Sequence, residues 1–318
     1  MSKPVLFTSF RPLERAENMR AIYDAYDGEK VFVQTLDENY ESEVLSGKYD
    51  LLVNDDFPKV SPGKCIVVWH AIQGGKMIGL NQPMPYHRKE RANLITCLVA
   101  SGTGTVHMYS RCAGISKDQI LPLGMPRTDA YIGKHKGDGG TILAGKRSYL
   151  YVPTFRRFNE EPFPDINWRW LDNHLSDREL FAVKMHPTTQ NFRLKQYRHI
   201  IQISGDEPSA AYLYDADVII SDYSSIIFDG YLLGKPAVLF EKESGYAWTR
   251  GMYLDYPDAY CSRYVTTEHD LLAMIRTADG LTDTEQSVLH QVADMCDGHA
   301  CERVISLIHD MNGDDTHE

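Results

Sequence analysis

Asp215-Ala-Asp-Val-Ile-Ile-Ser-Asp-Tyr-Ser-Ser-Ile-Ile-Phe-Asp229 reads as a short apolar strand that ends in polar residues and passes at once into an apolar helix. This is the strand–turn–helix unit of a parallel sheet covered on both faces, and the same alternation runs outward from it. Upstream lie the β-rich runs Tyr149 to Val152, Leu180 to Lys184 and Ile200 to Ile203, and downstream lies Ala237 to Phe240. The first half of the chain repeats the pattern, with strands expected at Val5 to Phe10, Val31 to Gln34, Leu51 to Asn54, Cys65 to Trp69 and Leu94 to Ala100, and a helix at Glu14 to Tyr26. Between the halves, Gly133-Lys-His-Lys-Gly-Asp-Gly-Gly140 is polar and has little that can pack, so it serves as the boundary. The reading is α/β, with doubly wound domains at residues 1–138 and 139–318. The helix-like tail from Glu268 to Asn312 belongs to the second domain, because the sequence shows no sign that it closes back across the hinge.

Composition narrows the function. Two domains of about 150 residues suit a chain of 318 residues. A formal charge of -11 and the absence of a long Lys/Arg run argue against nucleic acid as a partner. Local clusters at His87-Arg88-Lys89-Glu90-Arg91 and from Arg193 to Arg198 fit either a solvated helix face or contact with an anionic polymer or leaflet. The six cysteines include no C-x-x-C pair, which points to reduced thiols and not to a disulfide framework or zinc site. No apolar run approaches the ~18 residues of a membrane span. A cytoplasmic protein, with at most peripheral contact at the inner face of the membrane, is expected.

In the opening stretch, Ser224 and Ser225 fall at a helix N-terminus, where free N–H groups and the helix dipole stabilise an anion such as a diphosphate. Serines also cap helices without binding anything, and the local chemistry leaves both uses open. Asp215-Ala-Asp217 matches a D-x-D metal pattern, but it precedes its strand and so lies away from the carboxyl-end crevice; it reads as a turn feature. Two histidines sit where strands end, His70 after Trp69 and His186 before Pro187. Either can exchange a proton near neutral pH or contact phosphate, and either can equally well be a structural loop histidine. After His70, Gly74-Gly75-Lys76 permits a tight loop with a cation. Arg127 and Arg156 sit in Pro-containing loops with forks suited to phosphate, although Arg127 and Asp129 can instead pair with each other. Ser101-Gly-Thr-Gly104 is a partial dinucleotide fingerprint with His107 in place of the third glycine. Neither a G-x-S-x-G elbow nor a P-loop is present.

In order along the chain, six pieces resemble the CDP-glycerol:poly(glycerophosphate) glycerophosphotransferase family of teichoic acid and capsule synthesis: Trp69-His70, Gly124-Met-Pro-Arg127-Thr-Asp129, Tyr151-Val-Pro-Thr154-Phe-Arg156, His186-Pro187, Ala216 to Ser225 with Asp229, and Arg250-Gly-Met-Tyr253-Leu-Asp255-Tyr256. The resemblance implies a GT-B fold, two Rossmann-like domains facing a cleft, with the donor bound by the second. It implies His70 as general base, and His186, Ser224 and Ser225 at the donor diphosphate. Asp222, Thr154, Arg156, Arg127 and Asp229 complete the implied donor-binding set. The reaction implied is attack by an acceptor hydroxyl on the phosphorus bearing glycerol, with CMP leaving CDP-glycerol and no metal or other cofactor required. A nucleotide-activated donor and an anionic or lipid-linked polymer acceptor are the expected partners; CDP-ribitol or a nucleotide sugar is the alternative donor. The chain departs from the family at His70-Ala71-Ile72, where His-Gly-Thr is usual, and its short first domain suggests a stand-alone enzyme.

Overall fold

The computed structural model describes residues 2–81, 89–154, 165–186, 189, 192–242, 251–254 and 258–313. The chain divides into two compact units: residues 1–132 with 290–318, and residues 133–289.

The first unit is built on β1 (Val5–Ser9), β2 (Lys30–Gln34), β3 (Leu51–Asn54), β4 (Lys64–Val68), β5 (Cys97–Ala100) and β6 (Ile120–Pro122). All pairs are parallel and the order is β2-β1-β3-β4-β5-β6. Runs such as Val5-Leu-Phe7 and Cys65-Ile-Val-Val68 are fully buried, as strands covered on both faces require. Helices α1 (Glu17–Ala25), α2 (Tyr40–Val44) and α3 (Val106–Ala113) join them. Helix α3 ends on Gly114 at φ +74, a left-handed cap that relieves the Cβ clash other residues would suffer. The chain order reverses between β1 and β3, which makes their carboxyl ends the switch point of this sheet.

The second unit contains β7 (Arg147–Tyr151), β8 (Glu179–Lys184), β9 (Ile200–Ile203), β10 (Val218–Ser221), β11 (Ala237–Phe240) and β12 (Tyr264–Val265), in the order β12-β11-β10-β7-β8-β9 and again all parallel. Counted from β7, this is the Rossmann order, with its switch point between β7 and β10. Helices α4 (Trp168–His174), α5 (Ala210–Asp215), α6 (Ile226–Leu232) and α7 (Glu268–Thr277) belong here. The Gly-rich boundary segment is held by the D-x-D carboxylates. Asp215 accepts hydrogen bonds from the N–H groups of Gly137, Gly139 and Thr141 and from the Thr141 hydroxyl, at 2.6 to 3.1 Å. Asp217 accepts from the Ser148 N–H and pairs with Lys136 at 2.5 Å. Both carboxylates thus act as turn clamps at the amino end of β10, in line with their position in sequence.

The tail departs from expectation. It forms α7, α8 (Asp283–Ala293) and α9 (Ala300–Asn312), and residues from His290 onward pack with the first unit instead of the second domain, whose start also moves from 139 to 133. The physical reason lies in three glycines. A Cβ on Gly102 would sit 2.4 Å from Asp294 Oδ1, one on Gly104 2.2 Å from the Gln291 carbonyl, and one on Gly124 2.1 Å from the Met295 carbonyl. The tail backbone therefore lies directly on these positions. Ser101 donates to the Val292 carbonyl at 2.6 Å, and the Thr103 N–H and hydroxyl donate to Asp294. The partial dinucleotide motif is a docking surface for the tail. Asp129, for which pairing with Arg127 was one alternative, accepts from the Ala300 and Cys301 N–H groups at 3.1 and 2.7 Å, at the N-terminus of α9. Of the six cysteines, all are free and only Cys301 is even half-exposed.

Candidate functional site

The carboxyl ends of the first sheet gather His70, Ser9, Asp55 and Arg11. His70 follows β4 and is half-buried, with its ring 4.4 Å from the Trp69 ring and edge-on to Phe10 at 5.9 Å. Its Nδ1 lies 3.2 Å from the Asp55 backbone carbonyl. A carbonyl only accepts, so Nδ1 carries the proton and Nε2 keeps its lone pair. Burial, followed by the positive charges of Arg11, Arg127 and Lys76, pushes the imidazole down to about 3, so it is neutral at physiological pH. A neutral ring with a free Nε2 is the form that accepts a proton.

Asp55 is almost fully buried. Its Oδ2 accepts from the Ser9 hydroxyl at 2.6 Å, a bond that joins the ends of β1 and β3, while Oδ1 has no partner among the described residues. Burial pushes this carboxyl up to about 7, against the opposing Ser9 hydrogen bond. Asn18, buried on α1, fastens the loops on either side of His70. Its amide donates to the Trp69 carbonyl at 2.8 Å, and its oxygen accepts from the Arg127 N–H at 2.9 Å. The Arg127 side chain is buried; it donates to the Tyr131 hydroxyl at 2.9 Å and lies 3.6 Å from Glu17. In the loop after His70, the Gln73 amide donates to the Lys76 carbonyl and closes the turn around Gly74 and Gly75.

In the second unit, Thr154, His186 and the Asp222 to Ser225 turn follow the adjacent strands β7, β8 and β10, so the structure brings five of the sequence-derived residues to neighbouring carboxyl ends. Asp222 is buried, and its Oδ1 accepts from the Thr154 N–H at 2.9 Å and the Tyr223 N–H at 2.7 Å. Its position is thus at the switch point, where it ties two strand-end loops together. Ser224 and Ser225 are half-exposed at the start of α6. Among the described residues Ser225 makes no capping hydrogen bond, and Ser224 Oγ receives only the Ile226 N–H, at 3.5 Å. Their hydroxyls are therefore little used by the helix. His186 is half-buried, and its carbonyl accepts from the Thr189 N–H. Asp229 is buried inside α6. Arg156, His87, Arg88, Pro187, Arg250, Asp255 and Tyr256 lie outside the described residues. Among the described residues no helix is long and apolar enough to cross a membrane, and no three His, Cys, Asp or Glu side chains are placed to hold a metal ion.

Ser9, Arg11, Asn18 and Asp55 were not among the residues expected from the sequence. For Ser9, Arg11 and Asp55 the available signal is their place in the chain, since Ser9-Phe-Arg11 and Asn54-Asp55-Asp56 lie at the ends of apolar strands; Asn18, inside α1, carries no such signal.

A sequence model of the CDP-Glycerol:Poly(glycerophosphate) glycerophosphotransferase family matches residues 44–310. The chain is similar to a teichoic acid poly(ribitol-phosphate) polymerase of Bacillus spizizenii (strain ATCC 23059 / NRRL B-14472 / W23), at 26% identity over 350 residues that cover 96% of this chain and 56% of that protein. It is similar to a teichoic acid glycerol-phosphate primase of the same strain, at 26% identity over 264 residues covering 78% of this chain and 69% of that protein. The chain thus spans little more than half the length of the first of these relatives. Among solved structures, a variant of the wall teichoic acid polymerase TagF superposes with a TM-score of 0.79 at 17% identity, over 99% of this chain and 90% of that one. That likeness shows the fold, an α/β chain of the GT-B class with two Rossmann-like domains.

Proposed function

Because the chain belongs to the CDP-glycerol:poly(glycerophosphate) glycerophosphotransferase family, we propose that it transfers glycerol phosphate from CDP-glycerol to a hydroxyl of a polymeric or lipid-linked acceptor in teichoic acid or capsule synthesis. His70 is the general base. Its Nε2 takes the proton of the acceptor hydroxyl while that oxygen attacks the phosphorus bearing glycerol; the bond from this phosphorus to the bridging oxygen breaks, and CMP leaves with the electron pair. His186, Ser224 and Ser225 contact the donor diphosphate, as hydroxyls and N–H groups at a helix start do for anions. Asp222 and Thr154 set the geometry of that turn, and Arg127 supports the loop behind His70. Arg156 and Asp229 stay in the donor-binding set on the resemblance alone. No metal or other cofactor enters the reading, and the reaction takes place in the cytoplasm, at the inner face of the membrane where a lipid-linked acceptor is found.

The single observation that carries this reading is the placement of His70: an imidazole at a strand's carboxyl end whose Nδ1 is committed to the Asp55 carbonyl, which leaves Nε2 as the nitrogen that can accept a proton. One comparison favours a second donor. The relative matched over 96% of this chain is a ribitol-phosphate polymerase, so CDP-ribitol is the alternative.

His70→Ala tests the reading. Turnover should fall at least ~10²-fold with donor affinity nearly intact, as for loss of a general base. A collapse of donor affinity at preserved turnover would remove His70 from that role.

A further inference from the structure

The switch point of the first sheet holds a cation, Arg11, that forms no salt bridge among the described residues. Open parallel sheets bind ligands in the crevice outside the carboxyl ends of their strands, where the strand order reverses. In this unit that place is between β1 and β3. The Ser9–Asp55 hydrogen bond spans it, and the Ser9 hydroxyl oxygen also accepts the Arg11 N–H at 2.9 Å, which fixes the loop. The Arg11 guanidinium lies 5.0 Å from the centre of the Phe10 ring, and Phe10 in turn meets His70 edge-on.

Arg11 is half-buried, and that burial lowers its pKa from the ordinary guanidinium value. Among the described residues its guanidinium has no hydrogen bond and no carboxylate within 4.0 Å. Asp55 and Glu17 attract it only from farther away. Oδ2 of Asp55 is already taken by Ser9, and Glu17 lies 3.6 Å from Arg127. A desolvated cation without an ion partner is costly in a resting protein and becomes favourable when an anion arrives. Arg127 and Lys76 also direct positive charge at His70, which adds to the attraction for an anion there.

We propose that Arg11 is a phosphate-binding residue of the His70 site, its planar fork holding non-bridging oxygens of a substrate phosphate beside the reacting hydroxyl. The inference rests on the transferase reading above, and it names a residue that neither motif nor resemblance singled out. The phosphate belongs either to the donor diphosphate or to the terminal phosphodiester of a polyanionic acceptor. Both present the same chemistry to a guanidinium.

The test is Arg11→Gln and Arg11→Lys in the full chain, with KM measured separately for CDP-polyol donor and for a short glycerophosphate acceptor. In parallel, calorimetry measures binding of inorganic pyrophosphate and of the acceptor without turnover. Arg11→Gln should weaken one substrate by roughly 10- to 100-fold, the loss expected for a charge-assisted contact, with kcat changed much less. Arg11→Lys should recover part of the loss, because it keeps the charge without the fork. Which KM rises identifies the source of the phosphate. Unchanged KM values together with unchanged anion binding would overturn the proposal, and so would a lower melting temperature with both affinities intact, since that assigns Arg11 to packing on Phe10. If the wild-type chain turns over no CDP-polyol while its anion binding still depends on Arg11, the transferase reading fails and the anion site stands.

Discussion

Removing one carboxylate should loosen the chain's last helix from the first unit. Asp129, in the turn Pro126–Tyr131, accepts the Ala300 N–H at 3.1 Å and the Cys301 N–H at 2.7 Å, and so satisfies two of the N–H groups that α9 leaves open at its N-terminus. Loss of such a cap costs about 1 to 2 kcal/mol, and loss of a negative charge at a helix N-terminus adds about 0.3 to 1 kcal/mol. Asp129→Ala should therefore destabilise the first unit by roughly 1.5 to 3 kcal/mol. For a unit of about 160 residues this is a melting shift of roughly 3 to 10 °C. Asp129→Asn should recover only part of it, since its single amide oxygen can accept one of the two N–H groups while its NH2 cannot accept the other. Calorimetric melting of the three proteins checks the magnitude, and hydrogen exchange along residues 300–312 checks the place. A melting temperature within about 1 °C of wild type for Asp129→Ala, with α9 exchange unchanged, would refute the reasoning that this contact docks the tail.

Three further outcomes are expected. Glu285 is fully buried and pairs with Arg263 through two contacts at 2.8 and 2.7 Å; Glu285→Ala strands a buried guanidinium and should cost about 3 to 5 kcal/mol in denaturant melts, with a loss below about 1 kcal/mol contradicting that account. His70 has a folded pKa pushed below its unfolded value, so folding excludes its proton. The stability this contributes is complete above about pH 6.5 and is lost as pH falls toward 3, by an amount on the order of a few kcal/mol. His70→Gln should then flatten the acid limb of the stability profile, and an identical profile would mean the ring is not held neutral. Ser224→Ala with Ser225→Ala should weaken CDP-donor binding by roughly 10-fold or more in equilibrium titration, with little change in stability, because neither hydroxyl makes a good capping bond. Unchanged donor affinity would take both serines out of the site.

The sheets were legible in the sequence because most of their strands are buried on both faces, and short apolar runs rich in β-branched residues such as Cys65-Ile-Val-Val68 and Val218-Ile-Ile220 stand out between turn residues. The shortest strands, β6 (Ile120–Pro122) and β12 (Tyr264–Val265), went unread because two or three residues carry no periodicity. The destination of the tail was hidden for another reason. Val304 and Ile308 announce a buried face on α9, but helical spacing does not say which sheet covers it. That information resided in Gly102 and Gly104, which resembled a nucleotide loop, and in Gly124; all three are places where the tail backbone lies close.

The position of the candidate residues was legible where polar residues follow a strand within a distinctive run, as with His70, His186 and Asp222 to Ser225. Arg11 and Asp55 did not stand out, since each is a single charged residue at a strand end. What brings them together is the sheet order that sets β1 beside β3, which a linear reading leaves open. Burial also changes how Asp55 behaves: a carboxyl expected to be ionised is pushed up to about 7 by its surroundings.

The most direct measurement is nucleotide release, CMP from CDP-glycerol or CDP-ribitol and UDP from UDP-glucose, each with and without a short glycerophosphate or lipid-linked acceptor. Acceptor-dependent CMP release from CDP-glycerol with a phosphodiester product is expected, or from CDP-ribitol if that is the donor. Absence of release from both CDP-polyols, with turnover of UDP-glucose alone or of none of the three, would contradict the proposed transfer.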